Sequence, residues 1–179
     1  MHAVDNVAVR CSDGSVSEAA WATLTIRTAL PADLGELRRV YRSASLSNPG
    51  DAPHLLAHPE HLVFTGDGIA DGLTRLAETG SEAAGTVVGF STVIPGLDGG
   101  LELDDLFVDP GFRRRGVARA LIADAVESAR AGGYRQLSVI ANPHASAFYS
   151  AVGFVAGDLV TTPLGSGTRM HRWLAEDDA

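Results

Sequence analysis

The stretch LELDDLFVDPGFRRRGVARALIADAVESARAGGYRQLSVIA, residues 101–141, restricts the fold more than any other part of the chain. Its two ends, LELDDLFV (101–108) and QLSVIA (136–141), are apolar runs of strand length. Between them Val117, Leu121, Ala125 and Ser128/Ala129 recur at helical spacing, and Ile122, Val126 and Ala129 widen the stripe. Gly132-Gly133 then stops the helix. Two strands joined by a crossover helix run parallel, so the fold must contain a βαβ unit.

The remaining segments extend a sheet around that unit. TLTIRTAL (23–30) is rich in β-branched residues and reads as a strand. In PADLGELRRVYRSAS (31–45) Pro31 opens a helix whose Leu34, Leu37, Val40 and Tyr41 share one side. Residues 46–70 are broken by Pro and Gly, which predicts a long loop holding a short helix. LTRLAE (73–78) and GTVVGFSTVI (85–94) read as consecutive antiparallel strands. HASAFYSAVG (144–153) is a short helix ended by Gly153, and strands near 154–162 and 168–174 follow. The fold class is α/β of the α+β type: a mixed, mostly antiparallel twisted sheet flanked by helices. Residues 1–23 show no sustained period and form an N-terminal extension, weakly ordered or partner-dependent. Residues 24–174 are the folded domain, and 175–179 are an acidic tail.

Charge makes the 109–116 loop stand out. The chain carries a net charge of −8, yet three of its 14 basic residues run together as Arg113-Arg114-Arg115. All 14 are arginine. An acidic balance disfavours nonspecific nucleic-acid binding. No long uncharged apolar run is present, the start lacks the layout of a signal peptide, and Cys11 is the sole cysteine. A cytoplasmic protein with no membrane or nucleic-acid partner is the expectation.

The arginine loop precedes a helix. The first N–H groups of a helix lack intrahelical acceptors and carry the positive end of the macrodipole, so this end suits an anion. Gly116 clears a side chain from the approach, and arginine supplies forked donors. The alternative is a solvated basic turn. Neither G-x-x-x-x-G-K-[ST] nor G-x-G-x-x-G is present here.

Arg113-Arg114-Arg115-Gly116-Val117-Ala118 resembles the [QR]-x-x-G-x-[GA] signature of the GNAT-type N-acetyltransferase superfamily, with Ala at the last position. ANPHASAFYSAVGF (141–154) is similar to that family's second signature, and IRTALPADLGELRRVY to its first strand and helix. The resemblance spans about residues 24–174. It implies acetyl-CoA as cosubstrate and no metal. It also implies a splay between the strands at 101–108 and 136–141 that admits the pantetheine arm. On the strand side, Leu106, Phe107 and Val108 would bind the cofactor. On the loop and helix, Arg113, Arg114, Arg115, Gly116, Val117, Ala118 and Arg119 would hold its phosphates. Beyond the second strand, Asn142, Ser146 and Tyr149 would complete the site, Asn142 also being placed to cap the next helix. The resemblance also admits a homodimer.

Transfer of an acetyl group to a primary amine needs a neutral nitrogen, a base for its proton and an acid for the leaving thiolate. Tyr149 matches the family's acid, since a phenol is protonated at neutral pH. For the base, strand alternation puts Glu102 and Asp104 on one face and Asp105 on the other with Leu103 and Phe107. Glu102 and Asp104 are the candidates; a water relay or a backbone carbonyl is the alternative. The acceptor is a small amine, an amino acid, an antibiotic or a protein N-terminus. The rival reading is a non-catalytic acyl-CoA-binding or regulatory module on the same fold.

His54 and His58 are four residues apart, with His61 nearby, but Pro53 and Pro59 interrupt a regular helix and no cysteine joins them. A wall of the acceptor pocket is the expectation. His144 reads as a helix-start residue.

Overall fold

The computed structural model describes residues 24–80, 85–96, 99–162 and 165–174. The expected extension (1–23) and acidic tail (175–179) lie outside the described residues.

The chain begins with strand β1, Leu24–Thr28. A short 3-10 turn over Pro31–Asp33 leads into helix α1, Leu34–Leu46. Asp33 fixes that entry: its carboxylate accepts from the Leu30 N–H at 2.7 Å and from both Nη atoms of Arg27 at 2.7 and 3.0 Å. Residues 46–70 hold more helix than expected, with α2 (Ala52–Ala57), a 3-10 turn (Pro59–Leu62) and α3 (Asp67–Ala70). Pro53 and Pro59 each open a turn instead of breaking one, because a prolyl residue's fixed φ suits the first turn of a helix.

Strands β2 (Thr74–Thr79), β3 (Thr86–Pro95) and β4 (Leu101–Val108) follow as an antiparallel meander. Helix α4 (Val117–Ala131) crosses to strand β5 (Gln136–Ala141), parallel to β4. Helix α5 (Ser146–Ala151) and strands β6 (Val155–Thr162) and β7 (Gly165–Trp173) close the described chain. The sheet has seven strands in the order β1-β2-β3-β4-β5-β7-β6, and its one parallel pair is β4–β5. The expected mixed, mostly antiparallel sheet flanked by helices is the observed architecture.

Apolar residues cover both faces. On one face Leu37 and Val40 of α1 pack with Phe64, Ile69, Leu76, Val87 and Phe90. On the other, Val117 and Leu121 of α4 meet Ala77 and Val88, while Ile122, Ala125, Val126 and Ala129 meet Leu103, Leu137, Val139 and Tyr149. The predicted α4 stripe is the buried face, except that Ser128 is exposed. Arg75 of β2 ties the helix down through a two-bond ion pair with Asp124, at 2.9 and 2.7 Å. At Gly89 the helix comes close: a Cβ there would lie 2.9 Å from the Phe107 carbonyl and 3.0 Å from Val117. No helix among the described residues is long and apolar enough to cross a membrane.

Candidate active site

β4 and β5 pair over only three residues, Leu101 with Leu137, Glu102 with Ser138 and Leu103 with Val139. Past Leu103 they separate, although β4 continues to Val108 and β5 to Ala141. This is the splay expected between these strands. Along its β4 arm, Leu106 and Val108 turn toward α4 and Phe107 toward α1.

The arginine loop tops that arm. Asp109 caps the 3-10 turn Pro110–Phe112, accepting the Gly111 N–H at 2.9 Å, and its other oxygen binds Arg39 at 2.5 Å. Burial opposes ionisation of Asp109, but Arg39 and the Gly111 N–H prevail and hold its carboxyl below the usual range. Arg39 also reaches the Val87 carbonyl at 2.7 Å and Glu36 at 2.9 Å, so α1 braces the loop. Arg113 donates to the Ser47 hydroxyl just past the end of α1. Arg115 lies over the Phe112 ring, 5.2 Å from its centroid. Arg114 adopts φ 60°, the one left-handed non-glycine among the described residues, and its side chain has no partner among them. The Arg119 guanidinium touches the Ala151 carbonyl at 3.5 Å.

Gly116 is the N-cap of α4 with φ 84°, and a Cβ built on it would meet no atom within 4 Å. The space beside it is therefore open. The N–H groups of Val117, Ala118 and Arg119 precede the first intrahelical bond, from Ala120 to the Gly116 carbonyl at 3.0 Å. Open space, uncommitted N–H groups and a free arginine side chain form a cradle that fits a phosphate.

On the β5 arm, the Asn142 side-chain oxygen accepts the Ala145 N–H at 2.9 Å, and the Ser146 hydroxyl donates to the Asn142 carbonyl at 3.2 Å. These bonds set the start of α5. Tyr149 is buried between Phe148 and Phe154, with ring centroids 5.3 and 5.5 Å away. Burial raises its phenol to about 12, so the hydroxyl keeps its proton at neutral pH.

The acidic strand departs from simple alternation. Val93 pairs with Leu103 and Thr92 with Asp105, which leaves Asp104 as a bulge without a β3 partner. Leu103 consequently packs toward α4 while Phe107 packs toward α1, so the expectation that Asp105 shares a face with both is corrected. Glu102 pairs with Ser138, whose neighbours Leu137 and Val139 face α4, so Glu102 points away from α4. It binds Arg169 of β7 at 3.0 Å. Asp104 is exposed; partial desolvation and then the Glu102 charge raise its carboxyl. Asp105 is the more desolvated neighbour: burial pushes it up to about 6, opposed by a Thr92 hydrogen bond and aided by the Asp104 charge. The extra residue at position 104 sends Leu103 to the face opposite Asp105 and Phe107.

Tyr41 of α1 stands edge-on to Phe107 at 4.7 Å and donates its hydroxyl to the His61 carbonyl at 2.8 Å. Burial, and then the Asp105 charge, raise its phenol. The rings of His54, His58 and His61 gather at centroid separations of 4.7, 6.1 and 6.3 Å. Among the described residues no group of three or more His, Cys, Asp or Glu is arranged to hold a metal ion.

Residues 70–156 match the model of the acetyltransferase (GNAT) domain. The chain is 39% identical over 62 residues to MJ1207, an uncharacterized N-acetyltransferase of Methanocaldococcus jannaschii; the match covers 33% of this chain and 27% of the relative. The chain thus spans about a quarter of the length of the curated relative it matches. A GCN5-related N-acetyltransferase of Rhodopseudomonas palustris shares the fold with a TM-score of 0.69 and 21% identity, covering 88% of this chain and 100% of that one. The PaiA N-acetyltransferase of Thermoplasma acidophilum, solved in complex with coenzyme A, has a TM-score of 0.64 and 19% identity over 84% of this chain and 98% of its own. Residues 70–156 thus match the GNAT acetyltransferase domain, and the chain has the fold of the solved GNAT N-acetyltransferases.

Proposed function

We propose that the protein transfers an acetyl group from acetyl-CoA to a primary amine by direct attack, without a covalent enzyme intermediate, and that residues 24–174 form the unit that does so. The observation that carries this reading is the splay, which leads from the open cradle at Gly116 toward the acidic strand. Acetyl-CoA supplies a thioester already activated for attack. The loop amides from Arg113 to Ala118, with the Arg114 side chain, hold the phosphates; Leu106, Phe107 and Val108 on one arm and Asn142 and Ser146 on the other line the path. Arg119, whose guanidinium touches the Ala151 carbonyl of α5, and Tyr149 on the same helix complete the set. That the Thermoplasma acidophilum relative was solved with coenzyme A supports the assignment.

Tyr149 is the acid that protonates the departing sulfur. Its buried, protonated hydroxyl suits that task, because a phenol donates readily to a thiolate only while it holds its proton. The acidic strand β4 receives the proton of the acceptor nitrogen. Glu102 and Asp104 lie on that strand: Glu102 is ion-paired with Arg169, and Asp104 adds negative potential at the bulge.

The test is release of free thiol from acetyl-CoA by the full chain against alkylamines, amino acids, aminoglycosides and peptides with free N-termini. Turnover with at least one amine is expected. Tight coenzyme A binding with no turnover across all four classes would instead establish a binding module.

A further inference from the structure

We propose that Asp105, rather than Glu102 or Asp104, is the group that takes the proton from the acceptor nitrogen. This rests on the acetyl-transfer reading above and specifies its base.

Position is the first argument. Asp105 lies on β4 just beyond the last β4–β5 pair, at the mouth of the splay. Asp105 shares its face with Phe107 and Tyr41, away from α4, and the bulge at Asp104 sends Leu103 to the opposite face. Glu102 stands before the splay, within the paired region, and its carboxylate is committed to Arg169. Asp104 is exposed and, as the bulge residue, has no β3 partner to hold it in place.

Surroundings are the second argument. Asp105 pairs across the ladder with Thr92, which pairs in turn with Thr74, so three polar residues form one row across three strands. Thr74 is wholly buried and Thr92 nearly so, and their hydroxyl oxygens are 3.1 Å apart. A hydroxyl has one proton. If Thr92 donates to the carboxylate, Thr74 must donate to Thr92, so the row is polarised toward Asp105. The row holds the carboxylate in place and leaves it room for one more proton. Gly68 of α3 presses on the row, since a Cβ there would lie 2.8 Å from Thr92 and 3.1 Å from the Thr74 hydroxyl. The titratable groups that act on this carboxylate are Tyr41 from α1 and Asp104 on its own strand; neither is cationic. No described arginine or histidine is bonded to Asp105, which distinguishes it from Glu102.

The step balances as follows. The nitrogen lone pair forms the bond to the acetyl carbon, and the carbon–sulfur bond breaks. One N–H proton passes to the Asp105 carboxylate, and the sulfur takes a proton from Tyr149. Asp105 then releases its proton to water, and Tyr149 is reprotonated from solvent.

The experiment compares the native full chain with Asp105→Asn and Asp105→Glu, using coenzyme A calorimetry, thermal unfolding at pH 7, and thiol release from pH 5 to 10 with an amine the native protein accepts. For Asp105→Asn the expected result is unchanged coenzyme A affinity, an equal or higher Tm, and kcat/KM lower by about a hundredfold near neutrality. The loss should shrink toward pH 10, where free amine is abundant, and the native fall in rate below about pH 6 should disappear. Asp105→Glu should recover part of the rate. A native-like pH profile and rate in Asp105→Asn would overturn the assignment alone. So would a uniform loss at every pH together with a lower Tm, since that marks a structural hydrogen-bonding role. Failure of the native chain to bind coenzyme A, or to turn over any amine, would overturn the acetyl-transfer reading and this assignment with it.

Discussion

Arg39 and Asp109 join helix α1 to the start of the arginine loop through a 2.5 Å ion pair, although 70 residues separate them in the chain. The same guanidinium holds the Val87 carbonyl, and the same carboxylate caps the turn that precedes Arg113. Arg39→Ala removes the brace and leaves the cap. Arg39 is partly exposed, so its loss should cost about 1 kcal/mol or less in stability. Coenzyme A affinity should fall several-fold, because the loop amides lose their fixed placement. Calorimetry and thermal unfolding of the variant check both; a native affinity would separate α1 from the phosphate site.

Gly116 tests the cradle directly. Its φ of 84° disfavours any side chain by about 1–2 kcal/mol, yet the space around it is empty. Gly116→Asn tolerates that backbone and should fold. Gly116→Glu adds a negative charge where the phosphates would sit and should weaken coenzyme A binding far more. Equal affinity in the two folded variants would remove the loop from the binding site.

Tyr149→Phe keeps the ring packed between Phe148 and Phe154 and deletes only the hydroxyl. Coenzyme A affinity and Tm should be nearly unchanged, while kcat falls by about a hundredfold or more. With the native phenol raised to about 12, the native rate should show no loss from phenol ionisation up to pH 10. Near-native turnover of the variant, measured where chemistry limits the rate, would assign Tyr149 to packing.

The half-buried carboxylate of Asp105 carries a stability cost with a defined pH window. Its folded value, about 6, lies above the ordinary 3.8, so the folded state favours the protonated form. Stability from this group is complete below about pH 4 and is lost as pH rises through about 6. The loss at neutral pH amounts to at most about 3 kcal/mol. Asp105→Asn should therefore unfold at higher temperature than the native chain at pH 7, and the gain should vanish near pH 4. Melting curves at the two pH values check the sign; destabilisation at pH 7 would contradict it.

Most of the sheet was legible because its signals are local. The β4–α4–β5 unit follows from two apolar runs around a helical stripe, and its bounds agree with the sequence reading to within a residue or two. The arginine loop, residues 113–118, could be singled out as a candidate because glycine, arginine and a helix start are adjacent in sequence. Position 104 could not be read that way. A bulge depends on the pairing partner, Val93 followed directly by Thr92, which lies outside LELDDLFV. The adjacent Asp104-Asp105 pair was the available clue, since two carboxylates in a strand interior point to opposite faces unless the strand is bulged. The partners Arg39–Asp109 and Glu102–Arg169 are 70 and 67 residues apart, and their meeting is a product of the fold.

The three-residue seam between β4 and β5 also bears on how the chain assembles. To one side, β2–β4 is a meander with β1 added beside β2; to the other, β5, β7 and β6 make a second antiparallel unit. The β2–β3, β3–β4 and β6–β7 ladders close over short loops, whereas the seam must wait for the whole crossover, residues 109–135, to be laid across the sheet. The late event in folding is thus the docking of two preformed halves along the line where the splay begins. Substitutions that weaken the seam, such as Ser138→Ala, which loses the bond to the Leu101 carbonyl at 3.1 Å, should speed unfolding and leave the refolding rate almost untouched.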